Sequence, residues 1–362
     1  MPVAGIRRQS FHGERMAAQV SDEWLSWITE LARISAMESN GAVRGPSEGF
    51  HCLLDEQPTH LVPDWLLRQA QFDPGEKELC LNPDCRLDSN SDEDWDVESS
   101  RLLNMSVPSG GSIAWVRDAA TGKNMPFALS SELSGIAREL TDRQAAIANL
   151  PENLRTLFYR AQILISPEFS NRRQRTLSAV AQQWRAKFLQ NGYASVPGLI
   201  HPFHLAALRR YYRRKIRKGT FRLGDDQSSR RYIAHNDPIA RFFHLQLAPY
   251  VSKLVGKSVK PSYVYTAAYQ PGARLDKHTD REQCAFSITL CVDYSPEPAL
   301  ATAWPLYLET PRGTVTVYQA LGDGLLYRGC ELPHYRRTLA QGNTSTSIFF
   351  HYVAEDFSGS LD

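Results

Sequence analysis

The 362-residue sequence lacks the features that mark several large protein classes. It contains no run of eighteen apolar residues, so no transmembrane helix is expected. Its six cysteines are too sparse for a disulfide scaffold in a chain of this size, and a reducing cytoplasm is the expected compartment. Arg7, Arg8, His12 and Arg15 are followed by no apolar stretch, so the first residues do not read as a secretory leader. No internal repeat of solenoid period is visible.

What is present is globular. With 42% hydrophobic, 10% aromatic and 22% charged residues the chain can bury a core, which excludes global disorder. At about 100–200 residues per domain, its length fits two domains or one with an elaborated end. The net charge of +2 conceals an asymmetry. Between Asn171 and Arg231 there are twelve Arg and three Lys against Asp225 and Asp226, a local +13 that leaves −11 for the rest. Such a separation bears on steering and partners more than on fold.

The N-terminal half reads as mostly helical. Apolar positions at helical spacing predict helices over 24–34, 63–72, 130–150 and 152–165. Asp88–Ser100 is acidic and reads as a loop. A helix over 178–190 and a strongly basic one over 201–218 follow. Beyond Val259 the pattern changes to short strands between turns: 259–269, 285–292, 304–308, 314–319, 324–327, 335–338 and 346–353, which suggests a sandwich or jelly roll. A domain boundary is expected near residue 170.

The sharpest chemical feature is His278-Thr279-Asp280 with His334 downstream. Two imidazoles and a carboxylate can occupy one face of an octahedral ion and leave three positions open, the ligand set of non-haem Fe(II) oxygenases. In an extended segment residues i and i+2 project to the same side, so His278 and Asp280 can converge while His334 arrives from another strand. Other metal patterns are poorer. Cys80 and Cys85, with His51 and Cys52 upstream, lack a good second zinc pair and read as reduced thiols. Asp88-Ser-Asn90-Ser-Asp92 lacks the Gly and Glu of a calcium loop.

Tyr269-Gln-Pro-Gly272-Ala-Arg-Leu275-Asp-Lys-His278-Thr-Asp280 resembles the YxxGxxYxxHxD signature of prolyl-4-hydroxylase-like 2-oxoglutarate oxygenases, with Leu275 replacing the second Tyr. Gly322-Asp323-Gly324-Leu325-Leu326-Tyr327-Arg328-Gly329 ahead of His334, and the closing Ile348–Val353 strand, are similar to the same family. The resemblance runs from about Ser178 to Val353. It implies an oxygenase domain over 171–362, a double-stranded β-helix with supporting helices; with the mostly helical domain read over 1–170, an α+β chain is expected. It also implies Fe(II) held by His278, Asp280 and His334, 2-oxoglutarate as cosubstrate, O2 as oxidant, and hydroxylation of an unactivated C–H bond with release of succinate and CO2.

One departure stands out. Relatives place an Arg or Lys about ten residues after the second histidine to pair the far carboxylate of the cosubstrate. Here Gly342-Asn343-Thr344-Ser345-Thr346-Ser347 carries no cation. Arg336, at i+2 from His334, shares its face and is the assigned clamp, with Tyr265, Ser345 and Ser347 as hydroxyl contacts. Arg230, Arg231, His235 and Asn236 are assigned to substrate. The carboxylate of Asp280 argues for hydroxylation over halogenation. The paired-arginine spacing of nucleic-acid dealkylases is missing, so nucleic acid is not an expected partner. A small molecule or an amino-acid side chain, free or in a peptide, is the implied substrate. The basic helix at 209–218 could meet an acidic partner, or answer the acidic N-terminal half as a solvated face. Residues 1–170 could form a lid, a docking surface or a dimer contact. Two alternatives stay open: a catalytically degenerate binding protein, and the same iron site carrying out desaturation or epoxidation.

Overall fold

The computed structural model describes residues 50, 52–54, 78–88, 103, 105, 107–118, 121–142 and 144–362. The helices expected at 24–34 and 63–72, and the acidic segment beyond Asp88, lie outside them. The described residues belong to one compact unit.

The first described elements are strands β1 (Cys80–Leu81), β2 (Cys85–Asp88), β3 (Ser112–Arg117) and β4 (Asn124–Leu129), then helices α1 (Ser131–Asp142) and α2 (Glu152–Arg160), and strand β5 (Leu164–Ile165). The sequence reading found the two helices and missed the strands. β2, β3 and β4 form an antiparallel sheet, closed by a turn at Asp118–Lys123 with Gly122 at positive φ. The region is therefore mixed rather than mostly helical among the described residues. Helix α3 (Pro167–Asn191) runs without a break across residue 170. The apolar core is continuous through this stretch: Phe127 stacks on His204, Trp115 meets Phe242, and Phe50 meets Phe243.

Strand β6 (Tyr193–Val196) leads into α4 (Pro202–Arg217), β7 (Arg222–Leu223), β8 (Arg231–His235) and α5 (Pro238–Val255). His201 caps α4 by accepting from the Phe203 N–H, with Pro202 at the first helical position. Asp237 caps α5 through the Ile239 and Ala240 N–H groups, and Gly256 closes it in the left-handed conformation. The expected "basic helix" is α4, and its basic face is partly turned inward. Arg209 is 1% exposed and pairs with Asp293 and Glu297, and Arg213 also pairs with Asp293. For these two arginines the acidic partner lies in the same chain, because the charge must be matched where the helix packs against a strand.

From Val259 the strands are β9 (Val259–Tyr269), β10 (Leu275–His278), β11 (Phe286–Ser295), β12 (Leu306–Thr310), β13 (Gly313–Val317), β14 (Gly324–Tyr327), β15 (His334–Arg336) and β16 (Thr344–Ala354). One antiparallel sheet has the order β6-β14-β11-β16-β9-β8-β7, the other β10-β15-β12-β13. Successive strands cross from one sheet to the other, with β12 and β13 the one consecutive pair in the same sheet. This is the double-stranded β-helix expected from the sequence, widened at its edges by β6, β7 and β8. β11 is buried on both faces up to Tyr294, which explains its nearly unbroken apolar and β-branched sequence. Among the described residues no helix is long and apolar enough to cross a membrane.

Candidate functional site

The register of β10 against β15 builds the centre. His278 and His334 are direct cross-strand partners, so their side chains share a face. Their ring centroids lie 4.4 Å apart. Asp280 follows two residues after His278, its N–H bonded to the Gly329 carbonyl at 2.9 Å. Its Oδ1 stands 3.8 Å from His278 Nε2 and 3.5 Å from His334 Nε2. The ligand atoms of these three residues all lie within 4.8 Å of one another.

The tautomers favour a metal. His278 Nδ1 lies 2.8 Å from the Asp276 carbonyl and His334 Nδ1 3.0 Å from the Leu332 carbonyl. A carbonyl accepts only, so each Nδ1 carries a hydrogen and each Nε2 is the ring atom presented to Asp280. Burial, then the neighbouring His334, lowers the pKa of His278, which keeps its ring neutral. Burial alone would raise the Asp280 carboxyl, but hydrogen bonding from His334 and Ser287 and the field of His351 hold it at about 2.

A second layer fixes that carboxylate. Ser287 donates its hydroxyl to Asp280 Oδ2 at 2.8 Å and meets His351 Nδ1 at 2.9 Å. Gly329 leaves the space: a Cβ there would sit 2.3 Å from Asp280 Oδ2 and 2.7 Å from Ser287 Oγ. The sequence reading did not single out Ser287, Gly329 or His351. Alternation along β16 was the available signal for His351, since residues 345, 347, 349 and 351 share one face.

The triad opens into a cavity of about 410 Å³. Its walls are Tyr263, Tyr265, Tyr269, Tyr327, Phe349 and His351, and its mouth carries Arg222, Asp225, Asp226, Gln227, His235 and Arg281. Arg231 and His235 line it, as the sequence reading expected. Arg230 and Asn236 do not. Arg230 points outward to the Pro271 carbonyl, because neighbouring strand residues face opposite sides. Asn236, at φ 50°, accepts from the Val264 N–H and shapes the turn into α5. Tyr265 lines the cavity, but its hydroxyl is committed to Asp225, whose carboxylate also pairs with Arg231.

Arg336 enters the barrel interior, 5% exposed, as its i+2 relation to His334 predicts. It lies deeper than the open cavity, over the Trp304 ring, donating to the Trp304 carbonyl and the Gln319 side chain. Its Nε is buried without a partner, and so is Ser347 Oγ. Ser347 is the cross-strand partner of Cys291, and the Cys291 thiol feels the Arg336 charge. Burial lowers the pKa of Arg336, so this cation lacks a full counter-charge. Ser345 is buried on the same face of β16, opposite Tyr269. A distal carboxylate fits the Arg336 and Ser347 groups.

The cysteine pattern near residue 80 gives no metal cluster among the described residues. Cys52 is buried, Cys80 donates to the Ile165 carbonyl, burial pushes the Cys85 thiol up to about 12, and His51 lies outside the described residues.

No family model and no curated protein matches the sequence. Solved structures do match. The α-ketoglutarate-dependent epimerase SnoN from nogalamycin biosynthesis is 14% identical with a TM-score of 0.42, over 49% of this chain and 83% of that one. A Pseudomonas putida prolyl-4-hydroxylase is 16% identical with a TM-score of 0.38, over 47% of this chain and 98% of that one. A Trichoplax adhaerens prolyl hydroxylase, solved with a hypoxia-inducible-factor peptide, is 12% identical with a TM-score of 0.42, over 49% of this chain and 90% of that one.

Proposed function

We propose that the protein is an Fe(II)/2-oxoglutarate-dependent oxygenase that hydroxylates an unactivated C–H bond of a small molecule or an amino-acid side chain. The observation that carries this reading is the convergence of two imidazole Nε2 atoms and one carboxylate on one face of a cavity. That donor set suits iron and leaves coordination positions for other ligands. The metal and cosubstrate supply oxidation of a C–H bond, coupled to conversion of 2-oxoglutarate and O2 into succinate and CO2.

The chain's own residues orient and shield. His278, Asp280 and His334 would hold the ion. Ser287 and His351 fix the Asp280 carboxylate, and such outer partners set ligand geometry and metal affinity. Arg336 and Ser347 would take the distal carboxylate of the cosubstrate, which would match the buried cation and give Nε and Oγ their partners. The tyrosine and phenylalanine walls exclude water. Arg231, held by Asp225 and Tyr269, forms a rigid polar wall against which substrate can be placed. A cavity of this size suits a side-chain-sized group.

One observation favours the second reading, a degenerate binding protein: part of the Arg336 guanidinium is already taken by Trp304 and Gln319. An anaerobic titration separates the two. Fe(II) and then 2-oxoglutarate are added, and the visible charge-transfer band of a chelated 2-oxo acid is sought. The oxygenase reading expects the band in wild type, weaker in Arg336→Ala and absent in Asp280→Ala. Bound iron without a band in wild type would leave the binding protein.

A further inference from the structure

His235 and Arg281 form a second polar locus at the mouth of the metal cavity. Both line the cavity, and Arg281 is the residue directly after the ligand Asp280. Each packs on the same aromatic ring: the His235 ring lies 5.1 Å from that of Tyr263, and the Arg281 guanidinium lies 5.1 Å over it. Tyr263 thus carries two nitrogen-bearing groups at the entrance.

A carboxylate already sits there. Asp362 Oδ1 lies 3.2 Å from His235 Nε2 and accepts from Asn236 Nδ2 at 3.4 Å. The segment that brings it is tied down at several points. The Glu355 N–H bonds the Ser258 carbonyl, Lys260 holds the Phe357 carbonyl, and Ser360 bonds the Asp362 backbone. Asp362 itself remains 68% exposed and His235 42%, so the contact is easily exchanged.

We propose that His235, Arg281 and the Tyr263 ring form an anion subsite at the cavity mouth that takes a carboxylate of the substrate, and that Asp362 occupies it as an intramolecular stand-in. The subsite is distinct from the inner Arg336 locus: one serves the cosubstrate, the other selects the substrate by its acid group. The substrate class is then a carboxylic acid whose reacting C–H bond lies between the mouth and the metal. The inference rests on the oxygenase reading for its consequence in catalysis, but not for binding itself.

The test uses benzoate, a carboxylate without a 2-oxo group, and benzamide as the neutral control. Affinities are measured by ligand-observed NMR on the full chain loaded with Fe(II) and 2-oxoglutarate under nitrogen. Wild type, Asp362→Asn and Arg281→Gln are compared, and the charge-transfer band is recorded on each sample. Removing an exposed competitor is expected to tighten benzoate roughly two- to fivefold in Asp362→Asn. Arg281→Gln should weaken benzoate by about fivefold or more, and benzamide should respond to neither change. Equal benzoate affinity in all three proteins would overturn the subsite. So would benzoate binding seen only when 2-oxoglutarate is omitted, since the acid would then be entering the inner locus. Absence of the band with this benzoate pattern intact would overturn the iron reading and leave the subsite standing.

Discussion

Asp280 precedes β11 and Asp293 lies within it, and both side chains are largely buried, 13% and 11% exposed. Their surroundings differ. Asp293 is gripped by Arg209 and Arg213, which lower its pKa against the upward push of burial. Asp280 has no arginine or lysine within ion-pair distance among the described residues. It meets the Nε2 atoms of two imidazoles, a serine hydroxyl and a backbone N–H. One buried charge is matched by cations inside the fold. The other is held ionised by imidazoles and hydrogen-bond donors without an arginine or lysine of its own, which leaves a place for a metal to supply the charge.

That comparison can be broken in order of expected size. Asp280→Ala should weaken Mn(II) binding by well over about 100-fold, beyond the range of outer-partner mutations. A metal-free melting experiment sharpens the contrast: Asp280→Asn should melt only slightly below wild type, because the amide oxygen can still accept from Ser287. Asp293→Ala should lose more, about 3–5 kcal/mol in denaturant unfolding, and leave metal affinity intact, because it strands two arginines. Asp280→Asn melting well below wild type would show that Asp280 is matched within the fold after all.

Two further histidines bear on the stability side. His204 and His244 are buried, and each ring has its Nε2 2.7 Å from a backbone carbonyl. Burial lowers His204 to about 4 and pushes His244 well below its usual value. Each folded-state pKa lies below the unfolded value near 6.5, so as pH falls from 6.5 toward 4 the unfolded chain gains protons that the native rings refuse. Stability should therefore fall over that window, by at most roughly 2.7 kcal/mol per pH unit for two protons. His204→Gln should flatten the slope measured by urea unfolding, and an unchanged slope would remove this histidine from the account. The smallest effect is expected at the outer layer. Ser287→Ala and Gly329→Ala should each weaken Mn(II) by about tenfold, the first by freeing the carboxylate and the second by crowding it. Full affinity in both would mean that the Asp280 geometry is set by the strand alone.

The candidate triad of His278, Asp280 and His334 was legible because its signal is local. A His-x-Asp in an extended segment is itself a piece of geometry, and the turn and strand before His334 carry their own sequence marks. Most of the jelly-roll strands were legible for the same reason, as short runs between turn residues. Other elements had signals that went unread: Asp237-Pro238 opening α5 with Gly256 closing it, and the turn with Gly122 between β3 and β4. The substrate side was half legible, since the alternation that brings Arg231 and His235 to the cavity turns Arg230 away.

By itself the sequence determined the pairing of His278 with Asp280, the run of short strands beyond Val259 and the inward face of Arg336, all set by periodicity and residue type over a few positions. Only the tertiary structure decided which charges are matched. Arg209 lies 84 residues from Asp293, Ser287 lies 64 from His351, and His235 lies far along the chain from Asp362. Whether a buried charge stabilises the fold or waits for a ligand depends on what stands within a few ångströms of it, and no local pattern records that distance.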